Sequence, residues 1–168
     1  MRIAWFANID FQEGNAANSR IRALAKGLKK NGNQVFLFFL SPTVFNSNGI
    51  NKRSRGFYDG LYFNYLNGSV RRSPFLLRRI FNYLRAILVS SFVLIRKRKH
   101  FDSILIYSPP LLFFGHIYLL ARILNIPLII EKTELEEKLA SGTFFQKLIR
   151  LTDRLDAGFY KYVCSHLF

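Results

Sequence analysis

MRIAWFANIDFQEGNAANSRIRALAKGLKKNGNQVFLFFL, residues 1–40, reads as a complete strand–loop–helix–strand unit. Met1 to Ala7 is an apolar run of strand length. Asn8 to Asn15 is a polar loop with one glycine, Gly14. Ile21, Leu24, Ala25 and Leu28 then recur at three- and four-residue steps, the period of a helix with one buried face. That helix closes at Asn31-Gly32, and Val35 to Leu40 follows as a second apolar strand. Two apolar strands joined by an amphipathic helix make a parallel β-α-β unit. Such a unit brings a helix N-terminus to the strand ends, where α/β proteins bind ligands.

The pattern continues along the chain. Ser41 to Gly56, rich in Asn, Ser and Gly and carrying Lys52, Arg53 and Arg55, reads as a mobile loop. Phe57 to Leu66 is aromatic and roughly alternating, a strand or a pair of short strands that ends at Asn67-Gly68. Ser73 as N-cap and Pro74 at the first helical position open a long basic helix. After a break at His100-Phe101-Asp102, Ser103 to Tyr107 has the continuous apolar character of a strand buried on both faces. Leu111 to Leu124 is a hydrophobic helix and Leu128 to Ile130 a short strand. From about Thr143 to Tyr160, Phe144, Leu148, Leu151, Leu155 and Phe159 keep helical spacing, and Tyr162 to Phe168 looks like the start of another strand. The order β-α-β-β-α-β-α-β-α-(β) predicts an α/β fold, a doubly wound, mostly parallel, Rossmann-like sheet in one domain over 1–168.

Composition narrows the class. A chain of 168 residues, half of them hydrophobic, suits one domain with a real core and excludes disorder as a description of the whole. Cys164 is the only cysteine, so there is no disulfide framework, and Met1-Arg2-Ile3 lacks the features of a secretory signal. A reducing, cytoplasmic location is expected.

The net charge of +15 points to anionic partners. Much of it lies in Arg71, Arg72, Arg78, Arg79, Arg85 and the run Arg96, Lys97, Arg98, Lys99. A solvated helix face is the plain explanation. Yet Phe75, Leu77, Ile80, Phe81, Leu84, Leu88, Phe92 and their neighbours fill the gaps, more apolar surface than one core-facing stripe needs. A basic, over-hydrophobic helix has the composition of an element lying on an anionic membrane surface, with Arg78, Arg79, Arg96, Lys97, Arg98 and Lys99 as its contacts. Spanning is not expected: Arg85 interrupts the run Ile80–Ile95, and Pro109-Pro110 breaks Ile104–Leu124. Nucleic-acid binding would rest on charge alone, with no motif, and is not expected.

The strand ends hold the candidate site residues. The Gly14 loop has neither the spaced glycines of a dinucleotide fingerprint nor the Gly-Lys-Ser/Thr of a P-loop. Gly14, Asn15, Ala16 and Ala17 keep it narrow enough for a ligand to approach backbone N–H groups, with Ser19 and Arg20 facing the same place. A structural turn accounts for the loop as well. Ser108 follows a buried strand without a G-x-S-x-G context, so it is a substrate contact or an ST turn, not a nucleophile elbow. Glu131 and Glu134 sit after the last short strand, placed to orient substrate hydroxyls or act as a base, or simply to start a helix. His100, His116 and His166 are isolated, and no metal site is expected.

MRIAWFAN, GNAANSRIRALAKGLKKNGNQVFLF, FDSILIYSPP and IPLIIEKTELEE together resemble the N-terminal half of a GT-B glycosyltransferase. The group is the large retaining one (family 4-like, group 1) that includes many bacterial polysaccharide and lipopolysaccharide enzymes. The resemblance implies that Gly14 and Asn15 face the donor diphosphate, and that Ser108, Glu131 and Glu134 line the acceptor side together with Ser19 and Arg20. It implies a nucleotide-sugar as co-substrate, no cofactor and no metal, and a glycan or lipid-linked acceptor at the inner face of the cell membrane. It names no catalytic residue in this half. Lys132-Thr133 stand where many relatives carry a histidine. The second domain, which in this family supplies most nucleotide-sugar contacts and an E-x7-E motif, is expected to be missing. The competing reading is a non-enzymatic α/β module that binds membrane, or another chain, through the basic helix.

Overall fold

The computed structural model describes residues 1–9, 11, 16–40, 53–107 and 110–131. The chain divides into two compact units, Met1–Lys132 and Thr133–Phe168, and all that follows concerns the first. The helix expected over 143–160 and the strand expected from Tyr162 lie outside the described residues.

β1 (Arg2–Ala7), α1 (Ala16–Lys30) and β2 (Gln34–Phe39) form the expected unit, with β1 and β2 parallel in register from Arg2 opposite Gln34 to Ala7 opposite Phe39. Strand alternation sorts their side chains between two faces. Ile3, Trp5 and Ala7 join Val35, Leu37 and Phe39 on one face, buried against Ile21 and Ala25 of α1. Ala4, Phe6 and Phe38, also buried, point the other way, and the Phe6 and Phe38 rings stack at 5.1 Å. Burial on both faces leaves no polar alternation, which is why both strands read as unbroken apolar runs.

The aromatic stretch after β2 is a hairpin, β3 (Arg55–Tyr58) and β4 (Leu61–Tyr65), paired antiparallel. Its two-residue turn is Asp59-Gly60, with φ of 54° and 76°. Positive φ at both positions is what a type I′ turn requires, and Asp-Gly supplies it at low steric cost. β3 takes Arg55 and Gly56 from the segment read as loop, since an edge strand tolerates polar residues that a central strand does not. Cations of α1 hold the turn: Lys26 and Arg22 both pair with Asp59, Arg22 at 3.0 Å, and Lys29 Nζ donates to the Gly60 carbonyl at 2.7 Å. Hydrogen bonds from Lys26 and Arg22 hold the Asp59 carboxyl below its ordinary range.

α2 (Leu76–Arg96) starts two residues later than the Ser-Pro signal suggests. Phe75 keeps an extended backbone, φ −82° and ψ 126°, and the Ser73 hydroxyl accepts from its N–H at 3.2 Å. Ser73 therefore closes a turn ahead of the helix and caps nothing. A single 3₁₀ turn, Arg98–His100, separates α2 from β5 (Ser103–Tyr107). α3 (Leu111–Leu124) ends at Asn125 in the left-handed conformation and leads to β6 (Leu128–Glu131).

The sheet runs β3-β4-β2-β1-β5-β6, parallel except for β3. From the central β1 the chain winds out through α1 to β2, returns through α2 to β5, and continues through α3 to β6. Right-handed crossovers in opposite directions place α1 on one face and α2 and α3 on the other. Phe6 meets Phe113 of α3 at 5.8 Å, in keeping with that layering. This is the doubly wound α/β arrangement expected from the sequence.

α2 and α3 are joined at half-buried His116, whose Nε2 lies 3.0 Å from Ser91 Oγ and 3.4 Å from Ser90 Oγ. Both hydroxyls donate to the Ile87 carbonyl, at 2.7 Å from Ser90 and 3.1 Å from Ser91. The serine oxygens are thus left to accept, and Nε2 carries the proton of the neutral ring. Burial holds the imidazole below the ordinary histidine range, opposed by the Ile87 carbonyl. The unfolded chain then binds a proton that the fold does not, so stability rises with pH across that window. The unfolding midpoint is expected to start falling as the pH drops below about 6.5, and His116→Gln to flatten that fall. Thermal melts between neutral pH and about pH 5 measure it, because Asp59 and Asp102, with depressed carboxyls, lose their contribution only at lower pH.

Candidate functional site

The C-terminal ends of the parallel strands form one edge, with the reversal of winding direction between β1 and β5. Open α/β sheets bind ligands outside that edge at that switch point. Glu131, the last residue of β6, stands opposite Tyr107, the last residue of β5. Arg20, in α1, reaches it: Arg20 Nε lies 2.9 Å from Glu131 Oε1, with side-chain exposures of 53% and 17%. Two residues 111 positions apart, drawn from separate motifs, are therefore brought together at the strand ends. In this pairing the outer carboxylate oxygen can still accept from, and further guanidinium N–H groups can still donate to, a polar ligand. Ser19 is exposed beside Arg20. Gly14, Asn15, Ser108 and Glu134 lie outside the described residues.

The basic helix presents two unlike sides. Only Ala86, Ser90 and Leu94 of α2 are buried. On the opposite side Leu77, Phe81, Leu84, Leu88, Phe92 and Ile95, at three- and four-residue steps, form an exposed apolar stripe. Leu77 is 81% exposed and Leu88 69%, values of a helix face that touches no core. Arg78, Arg85 and Arg96 run along one flank at helical intervals, and the Arg96 guanidinium lies 5.6 Å over the Phe92 ring. Lys97, Arg98 and Lys99 extend the basic end, all exposed. α3 adds exposed Leu112, Leu119 and Ile123. Among the described residues no helix is long and apolar enough to cross a membrane.

Arg79 parts company with Arg78. Adjacent helix residues point about 100° apart, and Arg79 is half-buried in the wall of a cavity of about 660 Å³ at the strand-end edge. Asn8, following β1, Asn67, following β4, and Leu112 of α3 also line it. So does Tyr83, whose hydroxyl is pushed up from the ordinary tyrosine range by burial. Sequence reasoning missed this cavity. Its signals were Asn67-Gly68 and Arg71-Arg72 after β4, read as a turn and as surface charge.

No protein-family model matches the chain, and no curated protein matches it. Solved structures do. The C-terminal domain of a hydrogenase from Pyrococcus furiosus is 13% identical at a TM-score of 0.53, over 78% of this chain and 91% of that one. Sucrose-phosphate synthase from Thermosynechococcus elongatus, a GT-B glycosyltransferase, is 12% identical at a TM-score of 0.54, over 91% of this chain and 40% of that one. MurG from Acinetobacter baumannii is 17% identical over 77% of this chain and 33% of that one, at a TM-score of 0.43. The first two share the α/β fold and carry different activities in their names, so the fold is common ground and function has to be argued from the site. This chain has a glycosyltransferase-like fold and spans about two-fifths of the synthase's length, 40%.

Proposed function

We propose that this chain is the acceptor-side half of a retaining GT-B glycosyltransferase. It would serve transfer of a sugar from a nucleotide-sugar to a glycan or lipid-linked acceptor for cell-surface polysaccharide, at the inner face of the cell membrane. The Arg20–Glu131 pair carries this reading, because it joins the two motifs of the family resemblance at the strand-end edge. In this reading Glu131 accepts from an acceptor hydroxyl while Arg20 fixes the carboxylate, and Gly14 and Asn15 face the donor diphosphate. Most donor contacts would come from a second domain.

The α2 stripe supports the membrane part. Its occupant is an anionic lipid surface, argued from charge: α2 has four arginines and no acidic residue beside its exposed apolar face. A non-enzymatic module would use the same face, so the test must read sugar transfer.

Labelled sugar-nucleotides are incubated with lipid extract, this chain, and the second domain expected to be encoded downstream. Transfer is expected only with both parts, and Glu131→Gln or Arg20→Ala should lower it by about tenfold or more. No α/β domain with an E-x7-E pattern downstream, or no incorporation with any donor, would overturn the enzyme reading. Tight sugar-nucleotide binding by this chain alone would show the donor site to be on the wrong half.

A further inference from the structure

Two cavities adjoin where β4 leaves the sheet. One, of about 570 Å³, is polar and draws on Asn67, Arg71, Arg72, Arg78 and Arg85. The 660 Å³ cavity shares Asn67, Arg71 and Arg72, adds Arg79, and has an apolar wall that includes Leu76, Ile80 and Leu84. Arg85 is drawn up to the turn at Gly68, where φ is +73° and a β-carbon would sit 3.4 Å from its guanidinium.

Arg71, Arg78, Arg79 and Arg85 have no carboxylate among the described residues to answer them. Asp59, Asp102 and Glu131, the described acidic residues, are paired with Arg22 and Lys26, with Arg2, and with Arg20. The start of α2 compounds the imbalance: it has no side-chain cap and no acidic residue in its first turn. Instead Arg78 and Arg79 stand at its positive end, the reverse of what the helix dipole favours. Asn67 is the independent sign of a ligand. It lines both cavities, is 3% exposed, and spends its Oδ1 on the Ser69 N–H at 3.0 Å. Among the described residues its Nδ2 has no partner, and a buried amide donor left unmade is costly.

One ligand chemistry answers all of this. A phosphate monoester carries up to two charges and three acceptor oxygens, which suit guanidinium forks, helix N–H groups and an amide donor together. The apolar wall is continuous with the α2 stripe, since Leu76, Ile80 and Leu84 are themselves exposed. We propose that the paired cavities form a discrete binding site for a lipid phosphate, its head on Asn67, Arg71, Arg79 and Arg85 and its first chain carbons against Leu76, Ile80 and Leu84. The site stands on its own geometry and does not depend on sugar transfer.

The test uses dihexanoyl phosphatidic acid, kept below its micellar concentration, titrated into the chain by calorimetry. Saturable binding at one site is expected, at least about tenfold tighter than for inorganic phosphate or dihexanoyl phosphatidylcholine. Arg71→Gln with Arg79→Gln should weaken it about tenfold or more. Arg96→Gln with Arg98→Gln, at the far end of α2, should leave it within about twofold. If the double cavity variant does not fold, Arg85→Gln, at an exposed position, is read in its place. Inorganic phosphate binding as tightly would overturn the lipid assignment. Equal loss from the far-end pair would show diffuse charge in place of a site, and the absence of saturable binding would overturn the proposal outright.

Discussion

Serine at Phe81, Leu88 and Phe92 is expected to weaken binding to phosphatidylglycerol-containing vesicles by more than about a hundredfold, with the fold left intact. All three lie on the exposed stripe, so replacing them removes little that the fold uses. The cost to folding is a lower helix propensity at Leu88 alone, about half a kcal/mol or less, since serine and phenylalanine rank alike. On a membrane the balance is different, because each side chain would leave water, a gain of about 1.5–3 kcal/mol apiece. Two-thirds insertion of all three, about 3–6 kcal/mol, would still exceed the roughly 2.7 kcal/mol that a hundredfold change represents. Reversing the charges of Arg78, Arg79, Arg96 and Arg98 should also release the chain, since near-surface cations contribute about 1 kcal/mol each. That part fades with added salt, and the apolar part does not. Co-flotation at low and high salt separates them. Undiminished flotation of the serine variant would remove the membrane as the occupant of this face, and sedimentation would then show whether a second copy covers it.

The fold was legible because its central strands and α1 obey single periodicities. β1, β2 and β5 are apolar after their first residue since both faces are covered, and α1 shows one stripe since only one face is. β3 was read partly as loop because an edge strand is pinned by its hairpin turn and by Arg22 and Lys26 of α1, none of which leaves an apolar pattern at Arg55-Gly56. Position on the strand-end edge was legible for Arg20 and Glu131, but their pairing was not. It depends on how far α1 and β6 stand apart in space. The phosphate cavity was hidden for a further reason. It is made from a turn and one side of a helix, and helical phase decides which arginine faces it. Arg78 and Arg79 look alike in a charge run, yet Arg79 is half-buried and Arg78 exposed.

Phe6→Ala is expected to cost about 3–5 kcal/mol, a large part of the 5–15 kcal/mol that holds a domain of this kind together. Phe6 is fully buried on the central strand, stacked on Phe38 at 5.1 Å and tilted against Phe113 of α3 at 5.8 Å. Removing its ring leaves a cavity between layers that meet from separate elements and collapse only partly. Phe6→Leu keeps much of the volume and should cost less than about 2 kcal/mol. Phe57→Ala gives the contrast: that ring is 77% exposed on the edge strand, and its loss should stay within about 1 kcal/mol despite the Tyr62 ring at 5.5 Å. Urea unfolding with an unchanged slope measures all three. The result reaches beyond stability, because the Phe6–Phe113 contact ties the sheet to the α2–α3 layer. A loss under about 1 kcal/mol for Phe6→Ala would mean that α3 does not pack on β1 as described. The outward direction of the α2 stripe, and with it the membrane face, would then lose its structural basis.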